Sequence, residues 1–317
     1  MRLDQLNFTQ ALFQSLKSEI QYKYMHALLA TNLRILPSTK PYNTQARKYA
    51  LYTIAMEETS DMTSNTTYRV EPKEAHTHTV IFLHGRDSKG KEFADEFFES
   101  EASGPVEKPR TLLDLFPTIR WVFPGAPMLQ SERFGIEMHQ WFDMWSVENP
   151  AERPELQQPG LRQSIEQISG IIKEEEGLIP RRNIFLCGIS QGFAVAIAAY
   201  FSEKQGEFAG LIGLSSWMPP TLPYIQEKRQ GKNLGEVPEE VIDTESSRYK
   251  TPVFLGHSVD DHVVPIKNGR ELRDIISLQG FQVKSREYQE GGHWINEPQG
   301  VDDIANFLTT NMITHNS

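Results

Sequence analysis

One short stretch limits what this chain can fold into more than any other. Asn183-Ile184-Phe185-Leu186-Cys187 is a nearly unbroken apolar run, and Gly188-Ile189-Ser190-Gln191-Gly192 follows it directly. Phe193-Ala194-Val195-Ala196-Ile197-Ala198 then opens a helical pattern. A run this apolar reads as a strand buried on both faces, and the glycines permit the sharp turn from strand into helix. Strand, turn and helix in that order imply a sheet covered by helices.

The rest of the chain repeats the scheme. Thr79-Val80-Ile81-Phe82-Leu83, Arg120-Trp121-Val122-Phe123, Leu211-Ile212-Gly213-Leu214 and Pro252-Val253-Phe254-Leu255 are further strand-like runs. Helical stretches are predicted near 162–175, 191–204, 267–279 and 300–310. Such alternation gives the α/β class, with a mainly parallel central sheet and helices on both faces. The polar stretch 57–67 has almost nothing to bury and reads as a linker. We therefore expect an N-terminal extension and linker over 1–67 and a catalytic domain over 68–317.

Charge and cysteine content exclude several classes. The 317 residues carry a net charge of −10, which argues against a nucleic-acid partner and against a polybasic grip on anionic lipid. Residues 1–50 oppose this trend, with seven basic side chains against Asp4 and Glu19, a net of +5. Leu3, Leu6, Phe13, Leu16 and Ile20 add a weak amphipathic-helix pattern there. A basic head of this kind raises a mitochondrial address as the alternative to a cytoplasmic one, although its two acids depart from the acid-poor rule. Cys187 is the only cysteine, so no internal disulfide forms, in keeping with a reducing compartment. The longest apolar run, Phe193 to Phe201, is far short of the ~20 residues that span a bilayer, and no stable membrane insertion is expected.

Ser190 is the candidate nucleophile, lifted above the sheet by its turn with helix-start N–H groups beside it. A serine hydroxyl needs a base, and the base needs an orienting acid. The loop after the strand at 252–255 supplies Asp260 and Asp261, which spacing alone does not separate. Gly291-Gly292-His293, after the run Phe281 to Tyr288, supplies the base. His84-Gly85-Arg86-Asp87 follows the first buried strand, where a loop commonly donates a backbone N–H to an oxyanion. The two donors are assigned to Arg86 and Gln191. His76 and His78 read as a solvated approach to that strand, and His257 and His262 as structural. No ligand cluster points to a metal, and the chemistry calls for no cofactor.

These elements resemble, in order, the acyl-protein thioesterases and their phospholipase/carboxylesterase relatives, which have the α/β-hydrolase fold. The series comprises His84-Gly85, Phe123-Pro124-Gly125-Ala126-Pro127, Trp141-Phe142-Asp143 and the Ser190 motif. It continues with Gly213-Leu214-Ser215-Ser216-Trp217-Met218-Pro219, the Gly256-His257 to Val264-Pro265 element, and Gly292-His293. It spans roughly Thr77 to Leu308.

The resemblance selects Asp261 as the acid and implies a Ser190–His293–Asp261 triad cleaving esters or thioesters of acyl chains. Acylated proteins, lysophospholipids and small esters are the implied substrates. It further implies that Met128 to Trp141, with Met128, Leu129 and Trp141 as contacts, helps line an acyl-binding groove, although aromatics such as Trp141 are as often core. Two positions depart from the pattern: Phe193 where a second glycine is usual, and Asp87 where glycine is usual. A binding module on a hydrolase scaffold and a serine peptidase are the competing readings.

Overall fold

The computed structural model describes residues 66–202, 207–220 and 250–313. The head with its amphipathic pattern lies outside them, as does the linker apart from Thr66 and Thr67.

Nine strands are described: β1 Tyr68–Val70, β2 His78–Leu83, β3 Ile119–Phe123, β4 Met128–Gln130, β5 Glu137–His139, β6 Ile184–Ile189, β7 Gly210–Leu214, β8 Val253–Ser258 and β9 Val283–Tyr288. Seven form one sheet in the order β1-β3-β2-β6-β7-β8-β9, and β4 and β5 form a separate antiparallel pair. Every pairing in the large sheet is parallel except β1 with β3. The helices are α1 Gly90–Phe97, α2 Leu112–Leu115, α3 Gln157–Glu176, α4 Gln191–Ser202, α5 Ile266–Leu278 and α6 Gln299–Ile313.

Alternation along each strand divides the core in two. Ile81 and Leu83 of β2 join one cluster with Ile168 of α3, Val195 of α4 and Leu272 of α5. Val80 and Phe82 join the other with Phe93 and Phe97 of α1, Leu112 of α2 and Val301 of α6. Helices thus cover both faces, which explains why β2 and β6 are buried at every position. α4 is buried from Gln191 to Tyr200 and apolar on all sides, the pattern of a helix sunk in the core rather than an amphipathic surface helix. Among the described residues no helix is long and apolar enough to cross a membrane.

The strand order fixes where a site can lie. From β2 the chain proceeds to β3 on one side, and from β6 to β7 on the other. The loops leaving the carboxyl ends of β2 and β6 therefore diverge and open a crevice, as at the switch points of other α/β sheets. Ser190 follows β6, and the His84–Gly90 loop follows β2.

One sequence expectation changes here, and one departure from the family pattern finds its place. His78 is not at a solvated approach: it lies within β2, 1 % exposed. Phe193 leaves no mark on the surface, because its ring is fully buried against Gly213 of β7. A Cβ on Gly213 would lie 2.4 Å from that ring, so the bulky residue and the glycine complement one another.

Candidate active site

The turn carrying Ser190 is strained and clamped. Its φ of 55° is left-handed, a conformation that costs a non-glycine residue roughly 1–2 kcal/mol. Three hydrogen bonds hold it. Ser190 N–H donates to the Leu214 carbonyl at 2.8 Å. Its own carbonyl accepts from Ser216 Oγ at 2.7 Å and from Ala194 N–H at 3.3 Å. Gly192 lets the start of α4 press on the neighbouring loop, since a Cβ there would lie 2.3 Å from the Leu83 carbonyl oxygen. The Ser190 residue is 4 % exposed.

The acid and base come from the ends of β8 and β9. Asp261 has a fully buried side chain. Its Oδ1 accepts from the N–H groups of Val263 at 2.8 Å and Val264 at 2.9 Å. Its Oδ2 lies 2.8 Å from His293 Nδ1 and 3.2 Å from His257 Nε2. Burial alone would raise the Asp261 pKa, but the bonds from His257 and His293 outweigh it and hold the carboxyl far below the usual range. A carboxylate only accepts, so His293 Nδ1 carries the hydrogen and Nε2 keeps its lone pair. That is the tautomer a general base requires. Ser190 and His293 are not hydrogen-bonded to each other here, a common situation before substrate binds.

Asp260, adjacent in sequence, has a separate task. Its Oδ1 accepts from Gly292 N–H at 2.9 Å, which ties the acid loop to the residue before His293. Ser258 Oγ reinforces the tie by donating to the Glu290 carbonyl at 3.2 Å. Gly291 and Gly292 both have positive φ, 134° and 57°, as the sharp turn into His293 demands.

On the other side of the crevice, His84 is an internal strut. Ala126 N–H donates to its Nε2 at 3.0 Å, so the ring hydrogen is on Nδ1 and donates to the Gly85 carbonyl at 2.7 Å. Burial lowers its pKa to about 4, despite that last bond. Asp87 has a φ of 61°, so the departure from glycine sits at a left-handed position, and its N–H donates to the His139 carbonyl at 2.7 Å. The backbone N–H groups of Arg86 and Gln191 make no hydrogen bond among the described residues.

Both residues also use their side chains, which the sequence reading left out. Gln191 Oε1 accepts from Trp141 N–H at 2.9 Å and its Nε2 donates to the Phe142 carbonyl at 2.7 Å. Arg86 donates from Nε to Gln140 Oε1 at 2.9 Å and from a terminal nitrogen to Ser131 Oγ at 3.1 Å. The same guanidinium lies 3.7 Å from Asp143 Oδ1 and 5.3 Å from the centre of the Phe134 ring. It thereby fixes the β4–β5 hairpin to the loop after β2.

The residues named for an acyl groove separate. Met128 is 41 % exposed on the hairpin and Leu129 is half-buried. Trp141 is not on a groove wall: it is fully buried, with its indole N–H donating to the His84 carbonyl at 2.9 Å. Its indole nitrogen had a partner available in the core, so the ring could be enclosed. Among the described residues no group of histidines, cysteines and carboxylates has a metal-binding arrangement.

Comparison with known proteins agrees with this architecture. The profile of a family described as Phospholipase/Carboxylesterase matches residues 65–312. An acyl-protein thioesterase 1 of Cryptococcus neoformans is 27 % identical over 254 residues, covering 76 % of this chain and 94 % of its own length. One from Yarrowia lipolytica is 29 % identical over 248 residues, covering 77 % and 96 %. In three dimensions the crystal structure of Zea mays acyl-protein thioesterase 2 superposes with a TM-score of 0.57 at 23 % identity, over 78 % of this chain and 99 % of that one.

Proposed function

The chain belongs to the phospholipase/carboxylesterase family of ester and thioester hydrolases, and we propose that it cleaves acyl esters or thioesters through Ser190, His293 and Asp261. The observation that carries this reading is the 2.8 Å bond between His293 Nδ1 and a fully buried carboxylate, at the same sheet edge as a strained serine. Ser190 Oγ attacks the acyl carbonyl carbon while its proton passes to His293 Nε2. The charge on the carbonyl oxygen is met by the N–H groups of Arg86 and Gln191, with the start of α4 behind them. The tetrahedral species collapses, the carbon–sulfur or carbon–oxygen bond breaks, and the leaving group takes the proton from His293. Water then attacks the acyl-enzyme, with His293 again as base, and releases the acid and Ser190. Asp261 stays ionised throughout and stabilises the imidazolium.

Relatives named acyl-protein thioesterase support an acyl chain on a protein as one substrate, and the exposed Met128 with Leu129 beside it supports an acyl contact at the hairpin. The test is labelling with a fluorophosphonate, alongside rates on an ester, a thioester and an anilide. We expect label on the wild type and none on Ser190→Ala, with the anilide the slowest substrate. Equal labelling of the variant removes Ser190 from the reaction, and a preference for the anilide makes the chain a peptidase.

A further inference from the structure

Asp261 is held by one imidazole more than a serine–histidine–acid relay uses. His257, the penultimate residue of β8, is 6 % exposed. Its Nε2 lies 2.9 Å from the Val264 carbonyl oxygen and 3.2 Å from Asp261 Oδ2. Both neighbours are acceptors, so Nε2 carries the hydrogen and shares it between them. The opposite edge of the ring is closed. Nδ1 is buried without a hydrogen-bond partner, and Gly269 of α5 backs onto it so closely that a Cβ there would lie 2.3 Å away. The ring is wedged from behind and directs its N–H toward the acid. An orphaned ring nitrogen is costly, and such costs collect at functional sites.

We propose that His257 is a positioning residue that shares Asp261 Oδ2 with His293, fixing the carboxylate and drawing off part of its charge. The proposal rests on the triad reading above. Its consequence is counterintuitive in direction. A carboxylate that already accepts from His257 stabilises the His293 imidazolium less, so losing that donor should strengthen the hold of Asp261 on the imidazolium. The other charged groups around His257 compensate one another locally. Glu287 lies opposite it on β9, Arg270 of α5 binds Glu287 at 2.9 and 2.6 Å, and Arg273, 3.8 Å from the same carboxylate, is itself paired with Asp274 at 2.7 Å.

The experiment measures kcat/KM against pH for the wild type, His257→Leu and His257→Gln. Leucine removes the donor, while glutamine keeps an N–H within reach of Oδ2. We expect the acid limb of His257→Leu to move up by about 1 pH unit, with kcat reduced about tenfold and KM little changed. His257→Gln should return the limb most of the way. An unmoved limb in the leucine variant, or a glutamine variant that behaves as leucine does, overturns the proposal. A purely structural role would lower the yield of folded enzyme without moving the limb.

A second measurement needs no turnover. In a Ser190→Ala background, the low-field proton resonance of the Asp261–His293 bond should shift when His257→Leu is added and return most of the way with His257→Gln, and a resonance unchanged by leucine counts against the proposal. This arm stands even if Ser190 proves not to be the nucleophile, so the two readings fail separately.

Discussion

Two buried carboxylates occupy opposite ends of the same sheet, and their partners differ in kind. Asp261, beyond the carboxyl end of β8, faces His293 and His257. Glu175, near the end of α3, meets the sheet where β2 and β3 begin, and its partners are chiefly arginines. Arg120 Nε lies 3.0 Å from Glu175 Oε2, Arg69 Nε lies 3.8 Å from Oε1, and Thr79 Oγ1 donates to Oε2 at 3.2 Å. Arginine does not release its proton in a protein, so the Glu175 cluster is fixed. Imidazoles exchange protons near neutral pH, so a carboxylate bound to them can support proton transfer. One end of the sheet joins β1, β3 and α3 permanently, whereas the other holds a group able to change state.

The largest expected effect separates the two ends. Asp261→Asn should lower kcat by a factor on the order of 10⁴, as loss of the acid does in the best-studied triad. Glu175→Gln should leave kcat per folded molecule within about twofold. It should instead cost roughly 3 kcal/mol of stability in urea unfolding, because Arg120 loses the buried one of its two counter-charges and keeps only the exposed Glu71. A Glu175→Gln protein as stable as the wild type would show that the arginine cluster holds nothing together, and the contrast would fail.

That contrast also marks the limit of what the sequence disclosed. Each group proposed for the chemistry sits in a short local pattern: a serine between glycines after a strand, a histidine after two glycines, an acid in a loop after a strand. The five apolar runs become β2, β3, β6, β7 and β8, because strands buried on both faces carry their signal in consecutive residues. Glu175 gave no such signal, since Thr79, Arg120 and Arg69 lie 96, 55 and 106 residues away along the chain. β1, β4 and β5 are three residues each, too short for any periodicity. Trp141, read as a groove contact, is core because its indole N–H finds the His84 carbonyl, a pairing across 57 residues. The side-chain role of Arg86 escaped for the same reason, its partners being on the hairpin.

An effect of intermediate size tests whether the catalytic end costs stability. His84 titrates at about 4 when folded, against about 6.5 for a free histidine. Below pH 6.5 the unfolded chain takes up a proton that the folded chain refuses, so stability is complete above that pH. It falls as the pH drops toward 4, by about 3 kcal/mol. Unfolding free energies across this window should show that slope in the wild type. His84→Asn, which keeps a polar group but cannot titrate, should largely lose it. An identical slope in both proteins would assign the pH dependence elsewhere.

The smallest effect separates two neighbours at the same end. Asp260 and Asp261 are both loop carboxylates, yet Asp260 touches the backbone of the base loop and Asp261 touches the base itself. Asp260→Asn keeps an oxygen that accepts from Gly292 N–H and loses only the charge. Charged hydrogen bonds exceed neutral ones by about 1 kcal/mol, which sets the cost at roughly tenfold in kcat/KM or less. Asp260→Ala removes the tie altogether. Gly291 and Gly292 leave that loop free to change conformation once it is released, so alanine should cost more than asparagine. The opposite ranking is expected at Asp261. There asparagine presents an N–H₂ toward His293 and disturbs the tautomer, whereas alanine merely leaves the ring unheld. Steady-state kinetics on the four variants decides the matter. If Asp260→Asn is the crippled enzyme and Asp261→Asn is nearly normal, the acid has been assigned to the wrong aspartate.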